Sequence, residues 1–334
     1  MLAVWILREL GASIPVIFFG GRLAGLAAYL ALVFLAIRIA PRGKVVLLVV
    51  GAMPMALQSA ASYTADTMTL ALALLTVALT LRCSADSKAG WWFGGLSAVV
   101  VGLALTKPTY VLLATLLLLV PNANLSTSAL HASLAKAGVL LLVACAAGLW
   151  YFATRHITLA PYFPPGRIVP HEQLSYIFHH PFGYAKVLAR TQTLGSSQYI
   201  FPSFVSAVSM SNIALPPVEI VIFAFLLLAG AYQTEVGSSL LVRGRQLIAA
   251  WWPVALSAIV AVAIFTALWV EWTPVGSRTI YGIQGRYLLP IAAVPVMTVI
   301  LLRARRPVLH EGWFFIGMAI LALYEILTVL THFY

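Results

Sequence analysis

Apolar residues run along this chain in long blocks separated by short polar joints. The blocks fall at 21–40, 44–61, 66–82, 91–106, 108–121, 136–152, 216–233, 247–269, 287–302 and 313–333. Most are about 16 to 22 residues long, and about 20 helical residues cross the hydrocarbon core of a bilayer. None shows the strict alternation over about ten residues that a transmembrane β-strand requires. The pattern predicts an all-α, polytopic transmembrane helical bundle of about ten spans. The block 108–121 is short and follows Lys107-Pro108, which predicts a segment tilted into the bundle interior or one half of a broken helix.

Composition removes the soluble alternatives. The chain is 62% hydrophobic and 9% charged, with a mean hydropathy of +0.99, far outside the range of soluble domains. A net charge of +11 would suggest nucleic acid in a soluble protein. Here the basic residues are dispersed between apolar blocks instead of forming one patch, so nucleic acid is not an expected partner. Cys83 and Cys145 are the only cysteines, and they make no disulfide framework.

The position of the charges sets the orientation. The joints "PRGK" (41–44), "RCSADSK" (82–88), "VRGRQ" (242–246) and "RARR" (303–306) are basic, and all fall on one side if the spans alternate. That side is predicted to be cytoplasmic. The opening stretch, with Arg8 and Glu9 in its middle, reads as the tail of an external loop and not as a signal peptide. A long insertion at 153–215, rich in Pro, Gly, Tyr and Phe, predicts short interfacial helices and turns that form an extracytoplasmic cap. Residues 1–334 read as a single integral membrane domain.

Candidate chemistry then reduces to a few polar residues. Of nine carboxylates, Glu9, Asp66, Glu172, Glu219 and Glu271 fall on the external side. Asp66 opens a span, where it is either a helix cap or a carboxylate held at the interface to bind a cation, a sugar hydroxyl or an acceptor. Lys107 is apolar-flanked on both sides; it either snorkels or presents its ammonium to a phosphate at the outer leaflet. In "YGIQGRYLLP" (281–290), the planar guanidinium of Arg286 suits bidentate phosphate binding. Gln284 adds amide donors, Gly285 allows close backbone approach, and the helix start that follows offers free N–H groups. His156, His171, His179 and His180 match no compact metal-ligand spacing. The chain has no nucleophile elbow and no phosphate-cradling glycine-rich loop, which argues against an ATP-driven pump.

The stretches "GIQGRYLLP" (282–290), "EWTPVGS" (271–277), "AMPMALQSAASYTADTMTLALALLTVALTLR" (52–82) and "LALTKPTYVLLATLLLLVP" (103–121) resemble the bacterial DUF2142 family. Its members are predicted polytopic membrane proteins similar to the GT-C superfamily of glycosyltransferases. The resemblance implies a GT-C-like fold in the bacterial inner membrane and a role in cell-envelope glycan synthesis. It also implies two partners, a polyprenyl-phosphate sugar donor and membrane lipid. Asp66 then becomes the candidate catalytic residue. Lys107, Gln284, Gly285, Arg286, Tyr287 and Glu271 become the candidate donor-binding set, and a divalent cation is the one cofactor left open. The family pattern further places one more helix, and an external loop with an Asp-Glu pair, ahead of the point where this chain starts. The setting of Glu9, "LRELGAS", does not match that pair, so the expectation is a shortened gene model or a lost catalytic base. A transporter or flippase of an anionic lipid-linked substrate, and an inactive accessory subunit, are the alternatives.

Overall fold

The computed structural model describes residues 2–62, 64–154, 166–193, 204–205, 207–208, 213–214, 217–232, 249–302 and 311–333. The described chain is helical apart from a two-residue antiparallel pairing, Ala207 with Ala214 and Val208 with Ile213. Among the described residues, five helical segments are long and apolar enough to cross a membrane: Ile14–Ile39, Asp66–Ala85, Ala129–Thr154, Trp252–Trp272 and Gly285–Leu302. Shorter apolar helices cover Gly90–Thr106, Pro108–Leu119, Val221–Ala231 and Gly312–Thr328.

The helix Asp66–Ala85 lies at the centre. Its small residues Ala71, Ala73 and Ala78 are fully buried, which lets neighbouring backbones approach closely, as membrane helices require. The hydroxyls of Thr69, Thr76 and Ser84 donate to the carbonyls four residues earlier and so are satisfied within the apolar interior. The flanking helices Ile14–Ile39 and Ala129–Thr154 instead expose most of their apolar surface, including Leu23, Phe34, Leu141 and Leu149. That surface is where lipid chains belong.

The block 108–121 lies in the bundle interior and follows the break at Lys107, but it is not α-helical. Residues Pro108–Leu119 are a 3-10 helix of 12 residues, packed against Asp66–Ala85, Gly90–Thr106, Ala129–Thr154 and Trp252–Trp272. At a rise of about 2.0 Å it extends about 24 Å, where the same residues as α-helix would reach about 18 Å. The tighter winding is how a short block reaches most of the way across the bundle. Its far end is held by Lys136, whose buried ammonium donates to the Val120 carbonyl and to Asn122 Oδ1.

The block 44–61, expected as one span, is broken into Lys44–Gly51 and Pro54–Ala60. Pro54 has no N–H and its ring collides with the preceding turn, so the helix cannot continue through it. The break frees the Gly51 carbonyl, and the hydroxyl of fully buried Tyr29 donates to it at 2.8 Å. At the start of the chain, Leu2–Glu9 is helical and the next helix begins at Ile14, earlier than the apolar block suggests. The opening stretch is therefore a short helix packed on its neighbour, with Gly20 directly beneath Leu7, and not a loop tail.

Two of the basic joints share one end of the bundle. Gly43 lies against the side chains of Leu81 and Ile300, and Asn124 Nδ2 donates to the carbonyls of Cys83 and Ser84. The joints 242–246 and 303–306 lie outside the described residues. Asp66, at the opposite end of its helix from Ala85, therefore sits at the end away from 41–44 and 82–88.

The Tyr29 contact makes a specific prediction. Replacing Tyr29 by Phe keeps the ring but leaves the Gly51 carbonyl unsatisfied in an apolar interior, and should destabilise the protein by about 1 to 3 kcal/mol. Reversible unfolding in mixed micelles measures this, and an unchanged midpoint would show that the break needs no such cap.

Candidate functional site

Three backbone interruptions meet at this end. The helix Gly90–Thr106 stops because Pro108 disfavours α geometry in the residue before it, and Lys107 is extended, with φ −147° and ψ 107°. Asp66 opens its helix, and the turn Gly285–Leu288 opens the last part of the bundle as a short 3-10 segment. Each interruption delivers one charged side chain to the same place.

Lys107 Nζ donates to Asp66 Oδ1 in a close ion pair, and Arg286 Nε lies 3.8 Å from Asp66 Oδ2. The carboxylate thus has one cation on each oxygen. The capping position of its helix is taken by Ala65 without a side-chain hydrogen bond, so Asp66 does not act as a helix cap. Tyr287 lies beneath both cations, its ring centroid 5.1 Å from Lys107 Nζ and 5.4 Å from the Arg286 guanidinium carbon. The Tyr287 carbonyl in turn accepts a 2.7 Å hydrogen bond from buried Tyr110, one turn after Lys107. The segments carrying Lys107 and Arg286 are therefore joined twice.

Exposure within the cluster is unequal. The Asp66 side chain is 11% exposed, against 29% for Lys107 and 32% for Arg286. The negative charge is inside and the positive charges face out. Arg286 Nε itself is buried and has no hydrogen-bond partner, because 3.8 Å is an electrostatic contact and not a hydrogen bond. Two cations on one carboxylate leave one unit of positive charge uncompensated within the cluster.

The structure brings together Asp66, Lys107, Arg286 and Tyr287. Gly285 is buried beside them, and the Gln284 backbone carbonyl accepts the Tyr287 N–H that closes the turn. Glu271 stands apart, exposed near the end of Trp252–Trp272 and without an ion pair to a described residue. The one carboxylate of the cluster already carries two cations. Among the described residues no group of three His, Cys, Asp or Glu side chains comes together to hold a metal ion. His171, His179 and His180 lie on the cap, and His156 lies outside the described residues.

The approach to the Arg286 turn is stapled to the helices Pro170–His179 and Pro181–Thr193. Gln173 Nε2 donates to the Thr273 carbonyl at 2.9 Å. The Ile280 N–H donates to Thr191 Oγ1 at 3.0 Å, and the Tyr281 N–H to Thr273 Oγ1 at 3.1 Å. Gln173, Thr191 and Thr273 are all buried. Gly282, with φ +74°, lets the chain turn directly over Trp272, and a Cβ there would come within 2.4 Å of the indole. Gln173, Thr191 and Lys136 carry no motif; only Lys136, an ionisable residue at the head of an apolar block, carries the same signal that marks Lys107.

A family model described as "Predicted membrane protein (DUF2142)" matches residues 1–294. No curated protein and no solved structure matches the chain.

The shared carboxylate predicts strong coupling. Asp66→Ala should leave Lys107 and Arg286 side by side without a counter-charge, and adding Lys107→Ala should then cost less than it does alone. A double-mutant cycle on unfolding in micelles should give a coupling of about 1 to 3 kcal/mol; additive effects would mean the pair contributes nothing to stability.

Proposed function

The chain belongs to the DUF2142 family of predicted membrane proteins, and from that premise we propose that the Asp66–Lys107–Arg286 cluster holds the phosphate of a lipid-linked sugar donor. The observation that carries this reading is the charge arrangement. Two outward cations share one inner carboxylate, and the buried Arg286 Nε has no hydrogen-bond partner, so an anion would complete the cluster. A phosphate on a lipid anchor reaches the end of a membrane bundle from the side, without crossing water.

In this reading the protein is a GT-C-like glycosyltransferase of about ten spans in the bacterial inner membrane. The five long helical segments, the four shorter ones and the broken pair Lys44–Gly51 and Pro54–Ala60 supply the crossings. The acceptor hydroxyl attacks the anomeric carbon, the bond from that carbon to the phosphate oxygen breaks, and negative charge builds on the departing phosphate. Lys107 and Arg286 are placed to stabilise that charge. Both Asp66 oxygens are engaged by cations, so Asp66 is read as the group that positions them. The base that takes the acceptor proton, worth typically about 10²- to 10⁴-fold in rate, is then a separate group. Tyr287 braces both cations from below, and Gln284 and Gly285 shape the turn.

One observation favours transport: the helix interruptions at Ala52–Met53 and Lys107, since discontinuous helices build the sites of many transporters. The charged cluster, however, lies at one end of the bundle and not at the midplane, which favours transfer chemistry.

The test is binding and turnover with the full chain in nanodiscs. Arg286→Ala and Lys107→Gln should each weaken binding of polyprenyl phosphate by about 10- to 100-fold, the worth of a hydrogen bond to a charged group. Arg286→Lys should restore only part, because it keeps the charge and loses the fork. Equal binding by all four proteins would remove the cluster from the donor site. Release of polyprenyl phosphate from its sugar conjugate supports transfer, whereas movement of the intact lipid between leaflets supports transport.

A further inference from the structure

The cap helices Pro170–His179 and Pro181–Thr193 meet at His180, and their contacts with the helix Trp252–Trp272 fix how deep that junction lies. Gln173 touches Thr273, just beyond the end of the span. Three residues on, the Tyr176 ring packs 6.1 Å from the Trp269 ring. After the junction, Tyr184 lies 5.9 Å from the same ring, and its hydroxyl shares a 2.8 Å hydrogen bond with Thr266 Oγ1. Further along, Thr191 Oγ1 accepts the N–H of Ile280, whose neighbour Tyr281 is bonded to Thr273, back at the end of the span. The first helix therefore runs inward along the span and the second runs back out. The junction reaches at least the level of Thr266, six residues inside Trp272, which at 1.5 Å per residue is about 9 Å.

The end of the span marks the water boundary. Trp272 and exposed Glu271 sit there, and Trp251 and Trp252 sit at the other end, the spacing of paired aromatic belts. At 21 residues, about 31 Å long, the helix matches the hydrocarbon thickness. The deepest part of the hairpin is also its most apolar outward surface. Phe178 is 80% exposed and Phe182 is 85% exposed, and Leu174 continues the stripe one turn away from the junction. Glu172, Ser175 and His179 lie along a different side of the first helix, where they line a shallow cleft with His171 and Tyr176.

We propose that the hairpin Pro170–Thr193 dips into the leaflet on the cluster's side, with Phe178 and Phe182 inserted among lipid chains beside the span Trp252–Trp272. An amphipathic element of this kind seats its apolar face about 5 to 10 Å into the headgroup and acyl boundary, the depth that the Thr266 contact dictates. The inference rests on the membrane-spanning character of the chain and not on the phosphate reading of Asp66, Lys107 and Arg286.

Site-directed spin labelling of the full chain in liposomes tests it. Phe178→Cys and Phe182→Cys are labelled one at a time, with Cys83 and Cys145 replaced by Ala. Leu141→Cys on a lipid-exposed helix face and Arg278→Cys in the loop serve as references. Insertion predicts that both hairpin labels collide readily with oxygen and are shielded from a water-soluble nickel chelate, as at Leu141. Nickel access like that at Arg278 would overturn the proposal, because the tip would stand in water. Protection from both reagents would overturn it too, because protein and not lipid would cover the phenylalanines.

Discussion

A charge at the edge of a hydrocarbon medium must have a counter-charge within reach, because the attraction it loses to water there has to be replaced. Asp66 meets that need for two cations at once, with Lys107 on one oxygen and Arg286 near the other. The three residues come from segments 41 and 179 positions apart along the chain, so their contact fixes how the central helix, the break at Lys107 and the turn at Gly285 meet. The same constraint explains why the cluster has a polarity. The carboxylate, outnumbered, is drawn inward, and the cations keep the faces that look outward. What is structurally a clamp is electrostatically an unfinished salt bridge.

Where the helices of this bundle are interrupted, buried side chains meet some of the backbone carbonyls left free. In an apolar medium an unmatched carbonyl costs several times what it would cost in water. Tyr29 satisfies Gly51, Lys136 satisfies Val120, and Tyr110 ties the carbonyl of Tyr287 to the start of the 3-10 helix. These side chains are buried and far in sequence from the groups they serve. A bundle of unbroken helices would need none of them, and it would also have no place to bring Lys107 and Arg286 beside Asp66.

Much of this was legible in the sequence, and the boundary of what was legible is physical. Helical blocks could be read because lipid demands long apolar runs. Asp66, Lys107 and Arg286 could each be singled out because an ionisable residue in apolar surroundings is costly unless it is paired or used. The family resemblance put them in one site, but the local sequence could not, since nothing local records a contact across 179 positions. Pro54 was visible, but the uniformly apolar run around it concealed a break. The 3-10 winding of Pro108–Leu119 was also hidden, because Leu-rich sequence suits an α-helix equally well. Glu271 was grouped with the cluster through the resemblance of "EWTPVGS", and in the structure it lies on an exposed face near the end of a helix, without an ion pair to a described residue.

The helices Pro170–His179 and Pro181–Thr193 bear on the cluster through the backbone and not through charge. Between Thr273 and Gly282 the chain makes no regular structure, and it is held by Gln173, by Thr191 and by the internal bond from Tyr281 to Thr273. Gly282 then turns it over Trp272 with no room for a side chain. Arg286 follows four residues later, too near for the stapled loop to shift without moving the guanidinium. The helices that hold the loop are the same two whose junction lies level with Thr266. The loop that leads into Arg286 is thus tied to the hairpin by two buried hydrogen bonds, and the turn that follows it is tied to the central helices through Asp66 and through the Tyr110 bond to the Tyr287 carbonyl, so the guanidinium is fixed from both sides.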